Sequence, residues 1–149
     1  MPIIKLLDRI PYALIALIAR AATFSVFFRS GSQKLADWNA TLQLFENEYH
    51  VPVLPPHLAA YLAASVELGC SCLILIGLAT RFGVVMLLGL MAVIQIFVYP
   101  SAWPDHIQWF AFMFILLARG PGRISCDYLI GRFIGQRRAA APVQLDAGL

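Results

Sequence analysis

Two charges stand where charges are costly. Arg20 lies inside an apolar run from about 10 to 30, and Glu67 lies inside another from about 57 to 79. An ionised side chain at the centre of an apolar span costs at least about 2.5–3.5 kcal/mol, so it needs a partner or water. At the helical rise, Arg20 falls roughly 15 Å, Glu67 roughly 18 Å and Gln95 about 20 Å from the same end of their spans. Three polar groups at similar depth on three helices predict one internal site, with Arg20 and Glu67 paired. Such a pair serves either as a clamp between helices or as a site that binds a polar headgroup or relays protons. In the second case Glu67 is the candidate catalytic carboxylate.

A second polar set gathers toward the other end of the spans: Arg29, Lys34, Asp105, His106 and Gln108, with Tyr49, His50 and His57 from the loop. All three histidines are there, and histidine is a common metal ligand. No spacing among His50, His57 and His106 matches a defined metal motif, and solvation in a loop explains them as well. A nucleophilic triad, a phosphate loop and a dinucleotide fingerprint are absent from the sequence. Cys70 and Cys72 are two apart, which on a helix points them to different faces. With Cys126 far along the chain, they read as small hydrophobes rather than a disulfide framework.

The elements that must hold these residues follow from composition. The chain has 149 residues, room for one domain, and is 60% hydrophobic and 13% charged. A soluble domain carries about 25% charged residues, and one this small has much surface to cover. The mean hydropathy of +0.77 points the same way. Soluble, disordered and collagen-like classes are excluded, leaving an integral membrane protein. Four apolar runs, at about 10–30, 57–79, 82–99 and 102–118, predict an all-α four-helix bundle. The last two are near the lower limit of about 17 residues for a span. Pro104 fits the first turn of the fourth helix. In the long 31–57 loop, Trp38, Leu42, Phe45 and Tyr49 share one helical face, which predicts a short interfacial helix over 38–49.

Gly120-Pro121-Gly122 ends the fourth helix, and Ser125 can cap a new one with Asp127 in its first turn. Residues 123–138 then form a basic amphipathic segment suited to an anionic membrane surface, and 139–149 read as a disordered tail. Because the four spans are complete by Ala118, everything from 123 onward is expected to be dispensable for folding. Gly69, Gly77, Gly83 and Gly89 are expected to allow close helix contacts. Residues 1–21 loosely resemble a signal peptide, but the apolar run continues to Phe28, so retention is expected. Lys5, Arg9, Arg81, Arg119, Arg123, Arg132, Arg137 and Arg138 fall on one side and Lys34 alone on the other. Both termini are therefore expected in the cytoplasm. Trp38, Trp103 and Trp109 then lie near the outer interface.

The order of several short motifs resembles the DoxX-like family of small bacterial four-helix membrane proteins. They are Arg20, then Phe27-Phe28, then Gly31-Ser32-Gln33-Lys34-Leu35, then Ala60-Tyr61-Leu62-Ala63-Ala64 before Glu67, then Leu75-Ile76-Gly77-Leu78-Ala79-Thr80-Arg81. Arg29-Ser30 departs from the family, which often has a small residue or His before the first-helix glycine. The resemblance implies a multi-pass protein of the bacterial inner membrane. It also implies kinship with the membrane subunit of a thiosulfate:quinone oxidoreductase and with membrane partners in oxidative-stress complexes. Tyr49-His50-Val51-Pro52 through Pro56, with Phe97-Val98-Tyr99-Pro100, is similar to a subgroup found beside copper-responsive modified-peptide systems.

Three functions are compatible with these residues. The first is a redox membrane subunit in which Arg20, Glu67, Gln95, Arg29 and Lys34 surround a non-covalently held quinone. No haem or flavin motif is present, so electrons come from a partner. The second is a non-catalytic membrane partner for a copper-responsive or peptide-maturation system. The third is a small transporter subunit, which needs oligomerisation. The expected partners are the lipid bilayer and another protein or further copies of the chain, with no nucleic acid.

Overall fold

The computed structural model describes residues 10–49 and 53–140. Expectations for Lys5, Arg9, His50 and the tail beyond 140 lie outside the described residues, as do those for the side chains of Arg137 and Arg138. Every regular element among the described residues is helical. Helix α1 is Tyr12–Ala36, α2 is Trp38–Asn47, α3 is Pro56–Ile76, α4 is Thr80–Val93, α5 is Trp103–Arg119 and α6 is Cys126–Ala140. Between α4 and α5 the chain passes through a π-helical turn, Ile94–Val98, and a 3-10 turn, Pro100–Ala102.

The ends of these helices follow from local chemistry. Pro11 precedes α1 in an extended conformation, and Pro56 opens α3 where a missing N–H costs nothing. Asp37 caps α2 by accepting from Ala40 N at 3.0 Å. Gly77, at φ +72°, ends α3. Its N–H bonds to Ile74 O and that of Leu78 to Leu73 O, the two bonds of a Schellman cap. The second span therefore stops at Ile76, three residues before the expected end.

Helices α1, α3, α4 and α5 form a closed ring, α1 packing on α3 and α5, and α4 on the same two. Ala16, Ala19, Phe27, Cys70, Ile74, Val84, Leu87, Met113 and Leu116 make its core. Helix α2 lies over the N-terminal half of α3. Phe45, flanked by Trp38, Leu42 and Tyr49, packs on Ala59, Ala60 and Ala63, so the face expected from the sequence is the one buried. Thr41 Oγ1 donates to Lys34 O at 2.9 Å and fixes α2 to the end of α1.

Three segments are long and apolar enough to cross a membrane: Tyr12–Ala36, Pro56–Ile76 and Thr80–Val98. Their outward side chains, such as Ile18, Phe82 and Ile96, are large, apolar and exposed. Such a belt requires lipid, and the protein is a membrane protein. Helix α5, with 17 residues, is at the short limit for a span.

The glycines divide differently from expectation. Gly83 does admit a close contact, since a Cβ there would stand 3.2 Å from Ile74 and 3.3 Å from Cys70 O. Gly69 and Gly89 have nothing within 4 Å of a Cβ, and Gly77 is a cap whose close contact is with the 120–125 segment, where a Cβ would stand 2.5 Å from Ser125 Cβ. The tightest helix approach is at Gly31, where a Cβ would fall 2.7 Å from Leu68 Cγ and 3.2 Å from Glu67 Cβ.

Candidate functional site

Gly31 lets α3 come against α1, and this brings Glu67 onto the face of α1 that carries Ser30 and Lys34. Those two are four residues apart, hence neighbours on one side of the helix. Lys34 Nζ donates to both Glu67 oxygens at 2.8 and 2.9 Å and to Ser30 Oγ at 2.9 Å, while Ser30 Oγ donates to Glu67 Oε1 at 3.1 Å. Glu67 is 1% exposed and Lys34 18%, so the carboxylate is fully enclosed and the lysine side chain largely so.

The expected Arg20–Glu67 pair does not form. Arg20 is buried, but its guanidinium spends its donors on backbone carbonyls. Nε donates to Ile74 O at 2.9 Å, Nη2 to Leu75 O, and Nη1 to Ile124 O and to Pro121 O at 3.4 Å. The physical reason is stagger. Helix α3 ends early at Gly77, so Arg20 meets its last turn, whose carbonyls lack helical partners and favour a cation. Ser30, which bonds Glu67, stands roughly 15 Å beyond Arg20 along α1.

Gln95 is likewise apart from both charges. Its Nε2 donates to Pro100 O at 2.8 Å, and its Oε1 lies 2.5 Å from His106 Nδ1. This amide stitches the π-helical turn and positions a buried imidazole. Arg29 is exposed and does not reach Glu67 or Lys34. His57 is exposed, and no group of three or more His, Cys, Asp or Glu side chains among the described residues is arranged to hold a metal.

An apolar-walled cavity of about 700 Å³ joins the remaining parts. Leu62, Val66, Met86, Leu90 and Phe97 contribute its walls, and Ser30, Lys34 and Glu67 form one polar end. His106 and Trp109 line it from α5, and Tyr49 and Tyr99 from the loops. The two tyrosine hydroxyls are 3.0 Å apart, with their rings edge to face at 5.6 Å. Burial and the hydrogen bond to Tyr99 push the Tyr49 phenol well above its ordinary value, so it stays protonated and can donate. Gly89 also lines the cavity, and its missing side chain adds to the space.

Of the expected site residues, the structure brings together Lys34 and Glu67, with His106 lining the same cavity. It separates Arg20, Arg29 and Gln95 from them. Tyr49, expected in the second polar set with Lys34 and His106, lines the cavity with them, whereas Ser30, Tyr99 and Trp109 are lining residues that the sequence does not single out. The i, i+4 spacing of Ser30 and Lys34 was the one available signal. Neither a curated protein nor a solved structure matches the chain. The DoxX family model matches residues 15–100, more than half of the sequence. The matched stretch holds Ser30, Lys34, Tyr49, Glu67, Gly89 and Tyr99 together with the helices α1, α3 and α4 that frame them, and the chain belongs to the DoxX family.

Proposed function

We propose that this protein is the membrane subunit of a redox complex and that its cavity takes the headgroup of a quinone. The observation that supports this reading is the coincidence of an apolar volume of about 700 Å³ with a buried Lys34–Glu67 pair at its end. Sites for small lipophilic molecules typically have such volumes, apolar walls and a few convergent polar groups. A quinone accepts two electrons and two protons to become a quinol. Electrons would come from a partner subunit. The Lys34 ammonium lines the cavity, so its positive charge can stabilise negative charge growing on a carbonyl oxygen, and a shift of one N–H from Glu67 would let it donate there. Glu67 holds Lys34 in place and is the group that exchanges protons with it. His106, fixed by Gln95, and the Tyr49–Tyr99 pair are the remaining donors for a second oxygen.

In this reading four helices cross the bacterial inner membrane, α5 being the fourth, and both termini face the cytoplasm. A short-chain ubiquinone analogue titrated into the detergent-solubilised protein tests the site. Quenching of tryptophan fluorescence is expected, since Trp109 lines the cavity. Gly89→Leu, which fills the cavity from a position with open space, should weaken binding by tenfold or more while the protein stays folded. Saturable quenching left unchanged in Gly89→Leu, or no saturable quenching in the wild type, would overturn the assignment and favour a non-catalytic membrane partner or a transporter subunit.

A further inference from the structure

A second cleft, of about 720 Å³, opens at the opposite end of the ring, where Pro11–Ala13, the start of α4 and the 119–128 segment meet. Three arginines line it: Arg81, Arg119 and Arg123. Arg81 is tethered through Nε to Leu117 O at 3.1 Å. The Arg119 guanidinium sits 4.5 Å above the Tyr12 ring, an arrangement that fixes the cation while leaving its N–H groups available. Tyr12 is itself held by a 2.6 Å hydrogen bond to Gly120 O. Arg123 is exposed at the rim.

No carboxylate among the described residues forms an ion pair with these arginines. Among the described residues the one ion pair is Lys34–Glu67, at the far end of the cavity described above. Asp127 lines the cleft, but its two oxygens accept from Ala79 N at 2.7 Å and Thr80 N at 3.0 Å and so belong to the start of α4. Thr80 also lines the cleft, and its hydroxyl is buried without a partner. Next to Arg123 the surface turns apolar, with Ile124, Leu129, Ile130 and Ile134 all exposed. Guanidinium groups beside exposed aliphatic side chains match the boundary between headgroups and acyl chains.

We propose that this cleft binds a phosphate anion, the chemistry shared by an anionic phospholipid headgroup and a soluble phosphate. Guanidinium groups present several N–H donors to phosphate oxygens in a fixed fork. The preorganised arginines and the unpartnered Thr80 hydroxyl are the groups that receive it. The site does not depend on the quinone reading, because none of its residues lines the other cavity.

Native mass spectrometry of the full chain in mild detergent, with phosphatidylglycerol or phosphatidylcholine added, tests the proposal. Phosphatidylglycerol should be retained in preference to phosphatidylcholine. The preference should fall about fivefold in Arg123→Gln, following the usual worth of one basic residue at a charged membrane surface, and further in Arg119→Gln/Arg123→Gln. Arg132→Gln, on α6 but outside the cleft, should leave it unchanged. In parallel, inorganic phosphate is added and the melting temperature read. A rise with phosphate but no preference between the lipids identifies a soluble phosphate as the source. An equal loss in Arg132→Gln and Arg123→Gln would show diffuse surface charge and overturn the site. So would no lipid preference together with no effect of phosphate. Arg123 makes no bond that the fold depends on, so its variant stays interpretable even where Arg119→Gln unfolds the protein.

Discussion

A carboxylate enclosed like that of Glu67 is tolerable only with a counter-charge and hydrogen bonds, and Lys34 and Ser30 supply both. Breaking a buried pair by removing one partner typically costs about 3–5 kcal/mol. Lys34→Met should therefore lower the melting temperature in detergent substantially, while Lys34→Met/Glu67→Leu should recover most of the loss. A double-mutant cycle should give strong coupling between Lys34 and Glu67. It should give additive effects for Arg20 and Glu67, since they share no partner. Coupling of Arg20 to Glu67 instead would contradict the geometry. The cost of an intramembrane charge is readable in a sequence, and it singles out Arg20 and Glu67 as residues needing partners. The identity of each partner is not, because it depends on how far one helix is slid along another. A displacement of two turns sends Arg20 to backbone carbonyls and leaves Glu67 opposite Lys34.

At the scale of elements, the slide has a local cause. Gly77 ends α3 with a left-handed residue, and the 121–125 segment folds into the space below. Asp127 N donates to Gly77 O at 2.8 Å, and the Asp127 carboxylate caps the start of α4. Ser125 accepts from Tyr128 N at 3.2 Å, the cap expected from its position ahead of α6. The segment after 122 is thus bonded to α1, α3 and α4 at once and is not merely a surface appendage. Truncation after residue 122 should impair folding, whereas truncation after residue 131 should be tolerated; protease resistance of the two in membranes reads the difference. Asp127→Ala should cost about 0.5–2 kcal/mol, the usual worth of a helix cap. Gly77→Ala should cost more, because it adds left-handed strain to a Cβ that would stand 2.5 Å from Ser125 Cβ. Helix existence and the buried face of α2 were legible because period and length are local properties. The bonds that close the 120–127 segment against α3 were not, since they join residues about 50 positions apart whose types, a glycine and an aspartate in turns, carry no signal of each other.

For the whole molecule, the distribution of charge predicts orientation. Lys34, in the last turn of α1, is the one Lys or Arg between positions 31 and 57, and it is held by Glu67, so it adds little to the field on that side. Arg81, Arg119 and Arg123 lie together at the other end of the ring, and Arg132 follows on α6. Cytoplasmic ends of spans carry the excess of Lys and Arg, so that end should face the cytoplasm. Helix α2 and the Tyr49–Tyr99 contact should then face outward. The two sites should separate accordingly, with the cavity ending on Lys34–Glu67 nearer the outer surface and the arginine cleft at the inner one. A topology reporter fused after Leu149 should read cytoplasm, and one inserted within 39–48 should read the outer side. An even number of crossings between Tyr12 and Arg119 requires the residues before Tyr12 to lie on the same side as the C-terminal reporter. Placing α5 on the membrane surface instead would leave three crossings and put those two on opposite sides. A reporter pair at positions 2 and 149 therefore decides between four spans and three. Agreement of the two supports the closed ring as the membrane-spanning unit. Disagreement would remove α5 from the bilayer and leave His106 and Trp109 as a cover over the cavity mouth rather than part of its wall.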